Sequence, residues 1–403
     1  MLSFSQLDSA LDATAELERC AHFLDLEDWI VARLRQCEQE ITLNTSFLRD
    51  DGSIRPLAAI SVRHCSALGP SAVPLIISRE ASLDSERAHA MHSTWVAALY
   101  GLGAGGGAAA VILDPGEHSE TELRSAIQKV GAAMAEVSDG ELIFPNGLNP
   151  IEMEWLHSAF ARHKGSAHIA GRLCSTPANP VKSLAYGFLE LIRCATGRVH
   201  GIRVAVQGFD AICRELIQQL HARGAQLCAV ADESGGLSDP LGLDPTALVA
   251  FHRDHGMLLG APETEAVMNT DVLESDCDVL VLAANPNQVG QHNADRIRAD
   301  VILEIAPQAI AGSAKPILLN ASKTIVSNLL CNGVAMLYYA SESHCRNLVS
   351  APAACMRKRV RRTWSEIQQA ALKWSLPPFQ AAEMLAVQRV AEAVRVHETE
   401  RRR

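Results

Sequence analysis

No lysine occurs before Lys129, so positive charge in the first 128 residues of this 403-residue chain rests on arginine and histidine. Arginine does not deprotonate in proteins, so none of Arg19, Arg33, Arg35, Arg49, Arg55, Arg63, Arg79, Arg87 and Arg124 can serve there as a base. A basic excess is also lacking. The net charge is -10, which argues against a nucleic-acid partner and favours solubility. The local run Met356-Arg357-Lys358-Arg359-Val360-Arg361-Arg362 reads as a solvated helix face. None of the eleven cysteines has a CxxC partner, and the adjacent pairs His64-Cys65 and His344-Cys345 do not by themselves make a metal site. No metal is expected, and free thiols in a reducing cytoplasm are. Residues 1–21 alternate polar, acidic and small types, unlike a signal peptide. No apolar run reaches membrane-spanning length, since 101–111 is too short and too rich in glycine, so no membrane partner is expected.

What the chain does contain is 48% apolar and 20% charged residues, enough for two or three globular domains. Residues 26–48 read as a helix feeding a strand. Arg49-Asp50-Asp51-Gly52-Ser53 reads as a hairpin turn, and 57–62 as the return strand. A polar cap at Ser82 opens a helix to Tyr100. Residues 101–110 read as a glycine/alanine loop before a short strand at 111–113, and 119–135 as a helix. A second pattern starts at Lys182: helix 182–194, strand 201–208, helix 211–223, then strands 226–232, 278–282 and 300–304. This alternation predicts a doubly wound parallel sheet. The tail 351–395 reads as helical, broken at Pro377-Pro378.

Eight segments in order carry a family signal: Asp50-Asp51-Gly52-Ser53, His64-x-Ser66-Ala67-x-Gly69-Pro70, Thr94-Trp95, Val204-Ala205-Val206-Gln207-Gly208-Phe209, Leu220-His221-x-x-Gly224-Ala225, Ser234-Gly235-Gly236, Asp276-Cys277-Asp278-Val279-Leu280-Val281, and the run from Met384 to Ala393. Over nearly its whole length the chain resembles the glutamate dehydrogenase branch of the Glu/Leu/Phe/Val dehydrogenase family. The resemblance implies an α/β fold in three parts. Residues 1–181 would form an N-terminal substrate and oligomerisation domain, and 182–345 a Rossmann-type dinucleotide domain. Residues 346–403 would form a C-terminal helical segment returning to the first domain. It implies a homo-oligomer, or a hetero-oligomer with an active paralogue. It also implies NAD- or NADP-dependent hydride transfer at the α-carbon of an amino acid.

That chemistry needs cations for the substrate carboxylate, a lysine of lowered pKa and a carboxylate to move protons. Carried over position by position, the family lysines fall on Val73, Val96 and Ala108, the aspartate on Asn146, and a substrate-contacting serine on Tyr339. The dinucleotide fingerprint falls on Gly208-Phe209-Asp210-Ala211-Ile212-Cys213. Its first glycine stays, but Asp210 stands where backbone would approach a pyrophosphate, and Cys213 replaces the third glycine. Asp232 ends the following strand where an acid holds an adenine ribose, and Asn332 is a weaker cofactor candidate. Three readings remain open: a non-catalytic regulatory or binding paralogue, a divergent active dehydrogenase, or an enzyme with altered chemistry in the same cleft. The last would draw on His64, Cys65, His92 or Asn146.

Overall fold

The computed structural model describes residues 4–137, 142–145, 150–164, 180–344 and 352–401, in two compact units. The first comprises Met1–Pro177, Tyr339–Val349 and Glu383–Arg403; the second comprises Ala178–Tyr338 and Ser350–Ala382. Among the described residues no helix is long and apolar enough to cross a membrane, and no group of three His, Cys, Asp or Glu side chains is arranged to hold a metal ion.

In the first unit α1 (Phe4–Phe23) and α2 (Asp28–Leu34) precede the hairpin of β1 (Gln39–Leu48) and β2 (Ile54–Cys65). The hairpin closes through Gly52 at φ +80°, with Leu48 opposite Ile54. Then follow β3 (Ser71–Ile77), α3 (Leu83–Tyr100), β4 (Gly105–Ile112), α4 (Glu120–Val137), β5 (Leu142–Pro145) and α5 (Pro150–Lys164). The sheet order is β1-β2-β4-β3-β5, antiparallel from β1 to β4 and parallel from β4 to β5. One apolar cluster gathers Leu75, Val111, Ile127, Leu156 and Phe160 from β3, β4, α4 and α5. Helix α3 is buried almost all round. Ser82 and Ser85 form its N-terminal capping box, and Gly101 ends it in the left-handed conformation.

The segment 101–110 corrects the sequence reading. Gly105–Ile112 is a central strand, flanked by β2 and β3, where a loop was expected. A run of Gly and Ala has little β-propensity and no polar–apolar alternation, so nothing local announces it. Packing explains it. A Cβ on Gly105 would collide with the Cys65 carbonyl, and one on Gly106 with the backbone of Thr94. One on Gly107 would lie 2.7 Å from a Val73 methyl. The glycines let β2, β3 and α3 close onto this strand.

The second unit opens with α6 (Pro180–Thr196) and continues β6 (Arg203–Gln207), α7 (Ala211–His221), β7 (Gln226–Asp232), β8 (Gly235–Leu243), α8 (Pro245–His255), β9 (Glu265–Val267), α9 (Asn269–Leu273), β10 (Val279–Leu282), β11 (Val301–Glu304), α10 (Lys315–Asn320), β12 (Thr324–Val326), α11 (Asn328–His344), which from Tyr339 on belongs to the first unit, and α12 (Pro352–Trp374). The strand order is β12-β11-β10-β6-β7-β8-β9, parallel from β12 to β7, with β8 and β9 antiparallel. Strands β10 and β11 are wholly buried, as expected where helices cover a parallel sheet. The order reverses at β6 and β10, the switch point where such sheets bind ligands beyond their carboxyl ends.

On α12, Met356 and Val360 point inward while Arg357, Lys358, Arg361 and Arg362 are exposed, so the basic run is one face of a helix. Helix α13 (Pro378–Arg401) begins in the second unit and returns the chain to the first. There Arg19 pairs with Glu383 at 2.7 Å, and Arg389 donates to the carbonyl oxygens of Ala98 and Leu99 at the end of α3.

Candidate functional site

The three positions carried over from family lysines are deeply buried: Val73, Val96 and Ala108 are each 1% exposed. Val73 sits in the cluster of Leu75, Val111 and Ile127, while Ala108 packs with Ile60, Val62 and Ala90. Asn146 lies outside the described residues, and Tyr339 falls on α11. Val73, Val96 and Ala108 themselves offer only apolar side chains, none able to donate, accept or hold charge.

His64, at the end of β2, is fully buried, and both its ring nitrogens are engaged. Its Nε2–H donates to the Leu34 carbonyl at 2.7 Å, at the C-terminus of α2. In the neutral ring Nδ1 then accepts from the Thr94 hydroxyl on α3, 2.8 Å away. The ring meets Trp95 edge-on at 5.5 Å. His64 therefore ties α2, β2 and α3 together. Burial pushes its pKa down from 6.5 to about 4. The unfolded chain takes up a proton near 6.5 and the folded chain near 4, so stability is full above pH 6.5 and lost as pH falls toward 4. The loss attributable to His64 is about 3 kcal/mol. Urea midpoints between pH 7 and pH 4 should fall in the parent, and less steeply in His64→Gln. Equal slopes would place the acid sensitivity elsewhere. Burial also pushes the neighbouring Cys65 thiol up, away from the nucleophilic thiolate. His92 is half-buried on α3.

In the second unit the strand–turn–helix of the fingerprint is intact in backbone. Gly208 adopts φ +116°, and a Cβ there would stand 3.1 Å from the Ala283 carbonyl carbon. Asp210 is the N-cap of α7, its Oδ1 accepting from the Cys213 amide at 2.7 Å. The sequence reading treated this carboxylate as facing a bound anion. Instead it turns back and itself serves as the anion at the helix N-terminus. Cys213 is buried, which raises its thiol pKa well above the ordinary value. Asp232, at the end of β7, accepts from the amide and hydroxyl of Ser234 and, through Oδ2, from the Leu258 amide at 2.8 Å. Its carboxylate is thus built into the following loop. Asn332 donates to Asn328 Oδ1 at 2.7 Å within α11.

Two residues absent from the sequence reading, Arg214 and His252, complete this corner together with Ser234 of the Ser234-Gly235-Gly236 segment. Arg214, one turn into α7, donates from Nη1 to His252 Nδ1 at 3.1 Å, and its guanidinium lies over the Phe209 ring. His252, from α8, packs against the same ring at 5.1 Å. Ser234 holds Asp232. Asp-x-Ser was a readable turn signal, whereas the meeting of residues 209, 214 and 252 depends on the tertiary fold.

The family model described as "Glutamate/Leucine/Phenylalanine/Valine dehydrogenase" matches residues 177–397, more than half of the chain, and "Glu/Leu/Phe/Val dehydrogenase, dimerisation domain" matches 37–162. The chain is 26% identical over 414 residues to glutamate dehydrogenase of Thermotoga maritima, covering 95% of this chain and 96% of that one. With the Aeropyrum pernix glutamate dehydrogenase it shares 27% over 344 residues, 82% of each chain. In structure it resembles the hetero-hexameric glutamate dehydrogenase of Thermus thermophilus in its leucine-bound form, with a TM-score of 0.88 at 22% identity, over 98% and 97% of the two chains. With the two-unit fold, its returning C-terminal helix and the fingerprint turn at Gly208, these matches place the chain in the Glu/Leu/Phe/Val dehydrogenase family.

Proposed function

We propose that this protein is a non-catalytic member of its family, acting as a regulatory or binding subunit rather than as an amino-acid dehydrogenase. The observation that carries this reading is the burial of Val73, Val96 and Ala108, the first and last within apolar clusters, in a segment with no lysine before Lys129. General acid–base groups typically contribute ~10²–10⁴-fold to rate, and arginine offers no substitute base. Two of the remaining titratable candidates there, His64 and Cys65, do not favour new chemistry. His64 has both nitrogens engaged, and the Cys65 thiol is held protonated by burial.

The family's NAD or NADP also fits this chain poorly. Asp210 caps the amide of Cys213, at the helix N-terminus where a pyrophosphate would bind, and Asp232 is engaged by Ser234 and Leu258. The proposed protein is cytoplasmic and needs neither dinucleotide nor metal.

Assembly is the function we expect to persist. Among the described residues strand β1 is a ten-residue edge of its sheet, in the part of the chain matched by the dimerisation-domain model. A partner paralogue has a structural precedent in the hetero-hexameric Thermus thermophilus enzyme. Native mass spectrometry at micromolar concentration should show a symmetric homo-oligomer, or a hetero-oligomer when an active paralogue is supplied. A strict monomer under both conditions would contradict the assembly reading.

A further inference from the structure

Cys228, in β7, and Cys277, just before β10, share one apolar cluster of the second unit, although β6 lies between those two strands. A β-bulge brings them together. Val204 pairs with Leu227 and Ala205 with Ala229, so Cys228 has no residue opposite it on β6. The pairing of β7 with β8 skips it as well. The extra residue of a bulge bends its strand and re-aims its side chain. Here the sulfur leans over β6. Its Sγ donates to the Val204 carbonyl at 3.3 Å and comes within 4.0 Å of the Asp276 carbonyl oxygen, on the far side of that strand. The Cys277 sulfur accepts from the Ala205 amide, and the two thiols hydrogen-bond to each other.

The pair is buried but close to the surface. Cys228 is 4% exposed and Cys277 8%, beside the ion pair of Arg203 with the well-exposed Asp276. A small neutral oxidant therefore has little protein to cross. The two sulfurs are also unequal. Donation from the Cys277 thiol draws the Cys228 thiol below its ordinary range against the cost of burial, and the Arg203 guanidinium adds to the effect. The same bond pushes the Cys277 thiol up. One sulfur is thus disposed to be a thiolate nucleophile and the other to stay protonated. Packing as small apolar side chains accounts for their burial, but not for a bulge that turns one sulfur onto the other.

We propose that Cys228 and Cys277 are a peroxide-responsive thiol pair that closes reversibly into a disulfide across β6. The Cys228 thiolate attacks one oxygen of hydrogen peroxide and the O–O bond breaks. The departing hydroxide takes up the proton that Cys228 released, giving water and a sulfenic acid. The Cys277 sulfur then attacks the sulfenic sulfur, the S–O bond breaks, and the departing hydroxide leaves with the Cys277 proton as a second water. Two thiols lose two electrons, and one peroxide is reduced to two waters. In a reducing cytoplasm such a bond is transient, and cellular thiols reopen it. While closed it ties β7 to the entry of β10 and encloses β8, α8, β9 and α9, the stretch that carries Asp232, Ser234 and His252.

The test is peptide mapping by mass spectrometry of the full-length protein, reduced, freed of reductant, treated with hydrogen peroxide and alkylated before digestion. The expected product is a linked pair of peptides containing Cys228 and Cys277. It should be lighter by two hydrogens than the two thiol peptides together and be split again by dithiothreitol. Oxidised parent should melt about 4 °C or more above reduced parent, because the bond restricts the unfolded chain. Cys277→Ser, which keeps a donor toward Cys228, should leave a sulfenic acid on Cys228 that dimedone labels. Cys228→Ser should lose the linked peptides and leave Cys277 unlabelled, and neither variant should melt higher after peroxide. Absence of the linked peptides in the parent, dimedone labelling of Cys277 in Cys228→Ser, or an oxidised parent that melts no higher than the reduced one overturns the proposal. The parent's peptide map decides the matter alone if a variant does not fold. None of these outcomes bears on turnover, so the proposal can fail while the non-catalytic reading stands.

Discussion

Asp210→Gly should raise affinity for NAD by roughly tens- to a thousandfold. The carboxylate lies at the N-terminus of α7 with Oδ1 on the Cys213 amide, so it stands as an anion where a pyrophosphate would need those donors. Two like charges ~4 Å apart at an effective dielectric of ~20 repel by about 4 kcal/mol, which is about a thousandfold in affinity. Glycine removes the charge, frees the Cys213 amide and restores the fingerprint's second glycine. The stability cost is only a few tenths of a kcal/mol, because glycine is itself tolerated at an N-cap. Asp210→Asn should recover a smaller part, since it sheds the charge but keeps the bulk and the cap. Isothermal titration of parent, Asp210→Gly and Asp210→Asn with NAD checks the order. Equal blindness in all three would move the obstruction to Cys213 or to the corner of Phe209, Arg214 and His252, and micromolar binding by the parent would refute the electrostatic argument.

Ala108→Lys should destabilise the first unit by about 3 kcal/mol or more. The Ala108 side chain faces Ile60, Val62 and Ala90 on a wholly buried stretch of β4. Forcing a longer side chain into a packed core typically costs about 1–3 kcal/mol, and burying its amine adds desolvation unless the lysine stays neutral. At roughly 2–4 °C per kcal/mol for a unit of this size, the melting temperature should drop by about 6–12 °C. Val96→Lys, also in full burial, should behave alike. Restoring both lysines should therefore yield a less stable protein and still no dehydrogenase, with position 146 remaining asparagine. A double variant that melts like the parent would show that these positions open to solvent.

Local chemistry made much of the second unit readable. Strand β7 was expected at its observed bounds because an unbroken apolar run ends in an acid. The polar cap at Ser82 made α3 readable too. The failures share a cause, in that non-local packing decided the outcome. Strand β4 exists because Gly105, Gly106 and Gly107 let three neighbours close on it, and β3 went unread with Pro74 in its middle. Helix α1 and the antiparallel strands β8 and β9 also gave too little pattern to be read. Burial of positions 73, 96 and 108 could be suspected from their side chains, but the place of Val73 and Ala108 in two apolar clusters required the sheet. Asp210 was singled out for its charge, yet its role as N-cap was legible from an aspartate standing immediately before a helix. Arg214 and His252 were missed because they lie 38 residues apart.

Steady-state NADH or NADPH formation tests most directly the proposal that this family member has lost amino-acid dehydrogenase chemistry. Purified full-length protein, at concentrations well above those used for active relatives, should give no signal above the buffer rate with glutamate, leucine, phenylalanine or valine and either dinucleotide. A rate that is proportional to protein concentration, saturable in one of the four amino acids and retained through a second purification would contradict the account.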